Sequence, residues 1–320
     1  MTESIRQTAD SPGRWREVLR KLLQDKIAAI SLALVLLYAG IAFAGEAYSV
    51  YCRIAKQQPF YSIGKIEDRF QPPSAKHLFG TDYMGRDVLS RAIAGTRTAV
   101  KIGVIASLLS VAIGVTLGAL AGYFGSWIDD FVVWIYSTFA AMPTLLFILA
   151  FALLVNKGFL FPPAALAFKK ISSLMNMDPG MMAVYLGIGL TGWVSLCRVV
   201  RAETLRLRET AYVQAAKSLG YRSFRIITRH VIPNLFHLVI IYFTMRFAFA
   251  IMTEVIVSYL GLGVQLEPSW GVMIADGQER LWRGVWWEVG AATIFMFFLV
   301  LPLNILGDAL RDVLDPRLES

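Results

Sequence analysis

Arg246 and Glu254 stand eight positions apart inside a long apolar run at 236–263, and Ser258 follows four positions after the glutamate. In a helix, eight residues make a little over two turns, so the two charges share a broad face about 12 Å apart along the axis. A charge inside a bilayer costs at least about 2.5–3.5 kcal/mol on insertion scales, so each needs a partner or water. Two readings stay open. Arg246, Glu254 and Ser258 line a hydrated pathway, with Glu254 toward a solute amine, or the charges pair with another helix or a partner subunit.

Other chemistries find no residues to carry them. No G-x4-G-K-[ST], H-E-x-x-H or G-x-S-x-G occurs, so neither a P-loop nor those hydrolytic sites can be built. The two cysteines, Cys52 and Cys197, form no C-x-x-C, and His77, His230 and His237 form no cluster. A disulfide framework and a Cys/His metal site are both disfavoured.

A second group of residues reads as a docking knob. In 210–234, Ala211, Ala215, Ala216 and Leu219 share one face of a short helix, and Gly220 sits where a helix would end in a left-handed residue. A second short helix is expected to place Phe224, Ile227 and Val231 opposite Arg222, Arg225 and Arg229, and to end at Pro233. Small alanines allow close approach, and Tyr212, Tyr221 and Phe224 can anchor in a pocket. The other reading is a helix pair lying on anionic lipid, with its arginines at the headgroups.

The elements that position these groups follow from composition and run length. The 320 residues are 56% hydrophobic and 17% charged, with mean hydropathy +0.56; soluble domains carry about 25% charged residues. Apolar stretches at 27–45, 99–124, 128–155, 182–200, 236–263 and 284–308 can each cross a ~30 Å hydrocarbon core as a helix. The expected fold is therefore all-α, a polytopic membrane protein of six transmembrane helices. Ala42-Phe43-Ala44 resembles a signal-peptide cleavage site, but the 26-residue lead and the length of the run favour an uncleaved helix.

The net charge of +8 is read by position. Six Lys/Arg lie in 1–26 and seven in 201–235, which puts the N-terminus, that loop and the C-terminus on the cytoplasmic side. No nucleic-acid partner is implied. The opposite loop, 46–98, carries eight basic residues and fits the rule poorly.

The expected organisation is a cytoplasmic segment at 1–26, a first helix at 27–45, an outer loop at 46–98, a five-helix core at 99–308 and a cytoplasmic tail at 309–320. Ser110, Gly114, Gly118 and Gly122 make a small-residue stripe for close helix packing. Lys101 is expected to snorkel to the interface, and Asp129 and Asp130 to favour a helix N-terminus. Pro143 is expected to kink its helix, and Trp282, Trp286 and Trp287 to form an interfacial belt. Asp82, Arg86, Asp87 and Arg91 either pair locally or contact another protein on the outer side, on an interfacial helix entering the second span. Residues 164–177 read as a short interfacial helix between two breakers, and the 156–181 connection is either a spacer or a functional lid.

Gln214-Ala215-Ala216-x3-Gly220, followed by Ile232-Pro233, resembles the EAA loop of ABC importer permeases, E-A-A-x3-G-x9-I-x-L-P. Here Gln214, His230 and Ile232 replace Glu, Ile and Leu. The runs Gly80-Thr81-Asp82-x2-Gly85-Arg86-Asp87, Glu254-x4-Tyr259-Leu260-Gly261-Leu262-Gly263, Pro268-Ser269-Trp270-Gly271 and Asn304-x2-Gly307-Asp308-x2-Arg311-Asp312-x2-Asp315-Pro316-Arg317 resemble the dipeptide/oligopeptide/nickel branch, C-type subunit.

The resemblance implies half of a translocation pathway with no catalytic residue and no cofactor of its own. It implies a chain of the bacterial inner membrane that works with a second homologous permease, two cytoplasmic ATPases that bind ATP and Mg, and an extracytoplasmic solute-binding protein. Tyr212, Gln214, Ala215, Ala216, Gly220, Phe224, Arg225 and Pro233 would couple to the ATPases. Peptides are the implied solutes; nickel complexes, glutathione, antimicrobial peptides or sugars are alternatives. A stand-alone secondary transporter is a different class, and the sequence offers no inverted repeat for it.

Overall fold

The computed structural model describes residues 12–157, 179–263 and 267–314, together with Leu166, Phe168 and Lys170. The segment 164–177 lies almost wholly outside the described residues, as do Asp315, Pro316 and Arg317.

Among the described residues the chain is helical and holds no strand, only two isolated antiparallel bridges, Gly64 with Arg86 and Thr81 with Asp87. Helices satisfy every backbone group within one segment, as a lipid solvent demands. In order they are α1 (Pro12–Gln24), α2 (Lys26–Ile54), α3 (Val88–Phe124), α4 (Ser126–Ala141), α5 (Thr144–Asn156), α6 (Pro179–Arg208), α7 (Ala211–Ser218), α8 (Ser223–Ile226), α9 (Phe236–Tyr259), α10 (Trp270–Gln278) and α11 (Trp287–Leu314).

Five runs are long and apolar enough to cross a membrane: Lys26–Ile54, Val88–Phe124, Gly180–Arg208, Ser223–Tyr259 and Trp287–Leu314. The sixth expected span is not one helix. α4 and α5 meet at 90°, so Pro143 makes a break rather than a gentle kink. Met142, the residue before proline, is pushed out of the helical region to φ −85°, ψ 134°, and Pro143 adds no N–H to continue the ladder.

Other boundaries move as well. The second span starts at Val88, with no separate interfacial helix before it. Asp87 caps it, its Oδ2 accepting from the Ser90 amide at 2.8 Å. The last helix runs to Leu314, past the expected tail boundary at 309. Within the expected N-terminal segment, α1 packs Val18 and Leu22 against Leu306 and Leu314 of α11. Asp25 then caps α2 through the Ile27 amide at 2.8 Å.

α3 is the central post. Its small-residue stripe meets α6 in parallel register, four residues at a time. Ser110 Oγ donates to the Gly189 carbonyl at 2.9 Å. A Cβ on Gly114 would stand 3.0 Å from the Trp193 oxygen, on Gly118 2.7 Å from the Cys197 oxygen, and on Gly122 2.6 Å from the Arg201 oxygen. The bare backbone is what lets the two helices touch.

Further apolar clusters tie α3 to α2, α9 and α11 through Tyr38, Ile251, Trp270 and Leu299, and to α5, α6 and α9 through Ile102, Ile148 and Ile188.

The Asp87 carboxyl sits below its ordinary value of 3.8: burial pushes it up, and hydrogen bonds from Ser90 and from His77, 3.0 Å away, outweigh that. A lowered folded-state value means the stabilisation is complete above the unfolded value and disappears as pH falls through the folded one. Order in the 77–90 turn should therefore hold through neutral pH and be lost below about pH 4. Hydrogen exchange at the Ser90 amide reads this, and Asp87→Asn should flatten the acid limb.

Candidate functional site

The loop after α6 builds a two-helix knob. Thr210 Oγ1 donates to the Leu207 carbonyl at 2.6 Å and Gln214 Nε2 to the Arg208 carbonyl at 2.9 Å, so both close the end of α6 as α7 begins. The amide at 214 supplies a donor that a glutamate would lack when ionised. α7 ends in a Schellman turn: the Gly220 amide reaches the Lys217 oxygen at 3.0 Å and the Tyr221 amide the Ala216 oxygen at 3.1 Å. Gly220 holds φ +78° there, with nothing within 4 Å of a built Cβ.

The faces of the knob differ from the helical wheel expected. Val213, Ala216 and Ile226 form its buried base against Tyr123 at the end of α3. Ala211, Ala215 and Leu219 point outward with Tyr212 and Tyr221. Phe224 does not join Ile227 and Val231. It is 74% exposed, while those two are buried. A π turn over Ile227–Val231, in which the Ile232 amide bonds to the Ile227 oxygen, follows directly. The extra residue per turn shifts the phase of every side chain after Ile226.

Pro233 does not end the helix. It sits in a single 3-10 turn, Ile232–Leu235, that passes straight into α9. Asn234 Nδ2 donates to the His230 carbonyl at 2.6 Å and to Tyr212 Oη at 3.3 Å, which joins the two halves of the knob. The outward surface is thus aromatic and aliphatic, with Lys217, Arg222, Arg225 and Arg229 exposed around it. Arg225 lies over the Tyr221 ring at 5.7 Å.

Glu254 and Ser258 of α9 share one site, and Arg246 stands apart from it. Glu254 is 1% exposed, and its Oε1 accepts from Ser258 Oγ and from Ser269 Oγ, both at 2.6 Å. Ser269 caps α10, Thr98 Oγ1 donates to the Pro268 oxygen at 2.8 Å, and Trp270 Nε1 to the Ala92 oxygen at 2.9 Å. The 268–271 motif is therefore stapled between α3 and α9, and Glu254 is one of the staples. Within this chain its carboxylate has no open face toward a solute.

Glu254→Gln keeps an acceptor for both hydroxyls and is expected to assemble and function within about twofold of the unaltered chain. Glu254→Leu strands two buried hydroxyls, at about 1–3 kcal/mol each, and should lower thermal stability in detergent.

Arg246 is different. Its guanidinium lies 4.7 Å over the Phe249 ring and against Gly192 of α6, and it forms no ion pair among the described residues.

At the opposite end of the bundle Arg86 and Arg91 of the 46–98 loop pair inward. Asp82 Oδ2 accepts from Arg86 at 2.7 Å and Arg91 at 2.6 Å, and Arg91 also reaches Glu288 Oε1 at 3.0 Å. Arg280 stacks over Tyr83 at 4.7 Å. Burial pushes the Asp276 carboxyl up, against the pull of Arg91 and Arg280.

A second group was not read from the sequence. Arg97 meets Glu267 at 2.6 Å, and Lys101 meets Glu46 at 3.0 Å rather than snorkelling. Asp129 forms a bidentate pair with Arg201. Trp287 is buried and donates to the Thr81 oxygen at 3.0 Å, so only Trp282 and Trp286 of the expected belt are exposed.

The chain resembles known proteins along nearly its whole length. Residues 114–320 match the family described as binding-protein-dependent transport system inner membrane component. The dipeptide transport system permease protein DppC of Bacillus subtilis is 32% identical over 95% of this chain and 86% of that protein. The oligopeptide transport system permease protein OppC of the same organism is 31% identical over 96% and 90%. The glutathione transport system permease protein GsiD of Pectobacterium atrosepticum is 31% identical over 96% and 92%. With its membrane-spanning helices and nearly full-length relatives, this chain belongs to the family of inner membrane components of binding-protein-dependent transport systems.

Proposed function

We propose that the chain forms half of the translocation pathway of an ATP-driven importer of dipeptides or oligopeptides. A second, homologous permease supplies the other half. Two cytoplasmic ATPases bind ATP and Mg, and a solute-binding protein delivers the peptide from outside. This chain hydrolyses nothing itself.

The observation that carries the reading is the knob. Leu219, Tyr221 and Phe224 are exposed above a buried base, with Leu219 at 76% and Phe224 at 74%. Rigid aromatic anchors held away from their own core suit insertion into a pocket of another protein. Tyr212, Gln214, Ala215, Ala216, Gly220, Arg225 and Pro233 shape or hold that surface. The knob sits at the bundle end where α1 packs on α11, and Arg206, His237 and Arg311 line one open cavity beside it. That clustering supports a cytoplasmic face for the knob and both termini, in the inner membrane.

Reconstitution in liposomes tests the proposal. Labelled dialanine should enter only when this chain, the second permease and the ATPases are present with ATP and the binding protein. Uptake by this chain alone would overturn the reading in favour of a stand-alone transporter.

A further inference from the structure

An open cavity of about 750 Å³ separates the knob-end halves of α6 and α9. Arg198, Glu203 and Arg206 of α6, His237 and Tyr242 of α9, and Arg311 of α11 line it. Glu203 is the one carboxylate among its lining residues, and Arg206 donates to it at 3.0 Å. Arg198 and Arg311 form no ion pair among the described residues; Arg198 lies 4.9 Å over the Tyr136 ring. The cavity therefore carries unneutralised positive charge.

Arg246 continues that charge upward. It stands four residues past Tyr242, one turn further along the same side of α9, and about 15 Å along the axis from Phe236. This is the middle of the span, where an arginine without a carboxylate must face water or another polar surface. Its guanidinium reaches over Gly192, where α6 offers bare backbone. Tyr242 and Met245 line the inner end of the cavity on α9, so Arg246 stands just beyond that lining toward mid-membrane, with Arg198 and Arg311 in the α6–α9 groove itself.

We propose that this groove is the inner part of the solute pathway and an anion site, which takes a carboxylate of the passing solute from Arg246 to Arg198 and out past Arg311. For a peptide the group is its C-terminal carboxylate; this rests on the transport reading above. A lipid phosphate shares the anionic-oxygen chemistry, and the experiment separates the two.

The experiment uses the complete reconstituted transporter with Cys52→Ser and Cys197→Ser, which removes both cysteines of this chain, and places one thiol in the groove by Ala202→Cys. Anionic and cationic methanethiosulfonate reagents then report the local charge. After correction for their rates with a free thiol, the anionic reagent should react about tenfold faster, because a charged cleft concentrates counter-ions by about that factor or more. Arg198→Gln with Arg311→Gln should bring the ratio close to one. Trapping the ATPases with ATP and vanadate should change labelling severalfold. Equal reagent rates would overturn the anion site. Labelling indifferent to nucleotide but suppressed by phosphatidylglycerol vesicles would assign the groove to lipid and overturn the pathway.

Uptake of labelled dialanine supplies the second readout. Arg246→Gln should lower it about tenfold, and Arg246→Lys, which keeps the charge, should largely restore it. Equal loss in both variants, or loss in neither, would overturn the role of that charge. ATP-driven uptake by the unsubstituted transporter tests the transport reading separately, and the reagent ratio tests the groove whatever that result is.

Discussion

Gly220→Val in the assembled transporter should cut ATP-driven uptake by about ten- to a hundredfold, while the chain inserts and unfolds as before. The backbone at Gly220 holds φ +78°, a region that a β-branched residue enters only at about 1–3 kcal/mol. A built Cβ meets nothing within 4 Å, so the cost is conformational and not a clash within this chain. That energy is enough to depopulate the Schellman turn by about one to two orders of magnitude. When the turn opens, Tyr221 and Phe224 swing away from Tyr212 and Leu219, and the outward surface no longer presents one shape. The base of the knob, Val213, Ala216 and Ile226, stays buried, so global stability should change little. Gly220→Asn is the matched control, because asparagine tolerates the left-handed region, and it should retain uptake within about threefold. Measuring uptake, ATP hydrolysis and detergent thermal stability together checks the claim. Equal uptake in the valine variant would remove the knob from coupling.

How far the sequence shows this knob depends on which physical signal is used. Gly220 and the alanines are legible because a left-handed helix end and a short apolar helix leave local marks. The faces of the knob are not, since helical-wheel reasoning assumes 3.6 residues per turn throughout. The π turn before Pro233 breaks that assumption for Val231, and Phe224 stands exposed while Ile227, expected on the same face, is buried. The spans are legible from run length alone, yet the α4–α5 break shows that run length does not report direction. Pro143 is legible as a disturbance, but the size of the bend depends on the extended backbone that Met142 adopts before it.

The charge pattern was ambiguous for a reason the structure supplies. Arg86, Arg91 and Arg97 of the 46–98 loop are each in an ion pair, with Asp82, Glu288 or Glu267. The orientation rule counts lysines and arginines by position in the chain and says nothing about such partners. Two of those partners, Glu267 and Glu288, lie far away in sequence, so no local reading of the loop could reveal the pairing. Glu254 illustrates the same gap. Its spacing from Arg246 suggested a shared site, and its partners proved to be Ser258, one turn away, and Ser269, the cap of the next helix.

Gly118→Leu should prevent stable assembly of the helix bundle, and even Gly118→Ala should be felt. A Cβ there would stand 2.7 Å from the Cys197 carbonyl oxygen and 2.9 Å from the Val200 Cβ. The first of these contacts is backbone, so α6 as a whole must retreat from α3. Overpacking of this kind costs about 1–3 kcal/mol for small insertions, and more when a rigid element must move. Retreat at Gly118 also opens the steps on either side, because Gly114 and Gly122 meet Trp193 and Arg201 in the same register. Thermal unfolding of the purified complex should fall by several degrees for alanine, and the leucine variant should yield little complex at all. Gly40 on α2 is the counter-example: a Cβ there meets nothing within 4 Å. Alanine at Gly40 should be neutral or stabilising by about 0.5–1 kcal/mol, since glycine carries an entropic cost inside a helix. The same substitution thus has opposite signs on two helices of one chain, decided by whether a neighbouring backbone occupies the missing side chain's place. Equal effects at the two positions would show that the stripe reflects composition rather than packing.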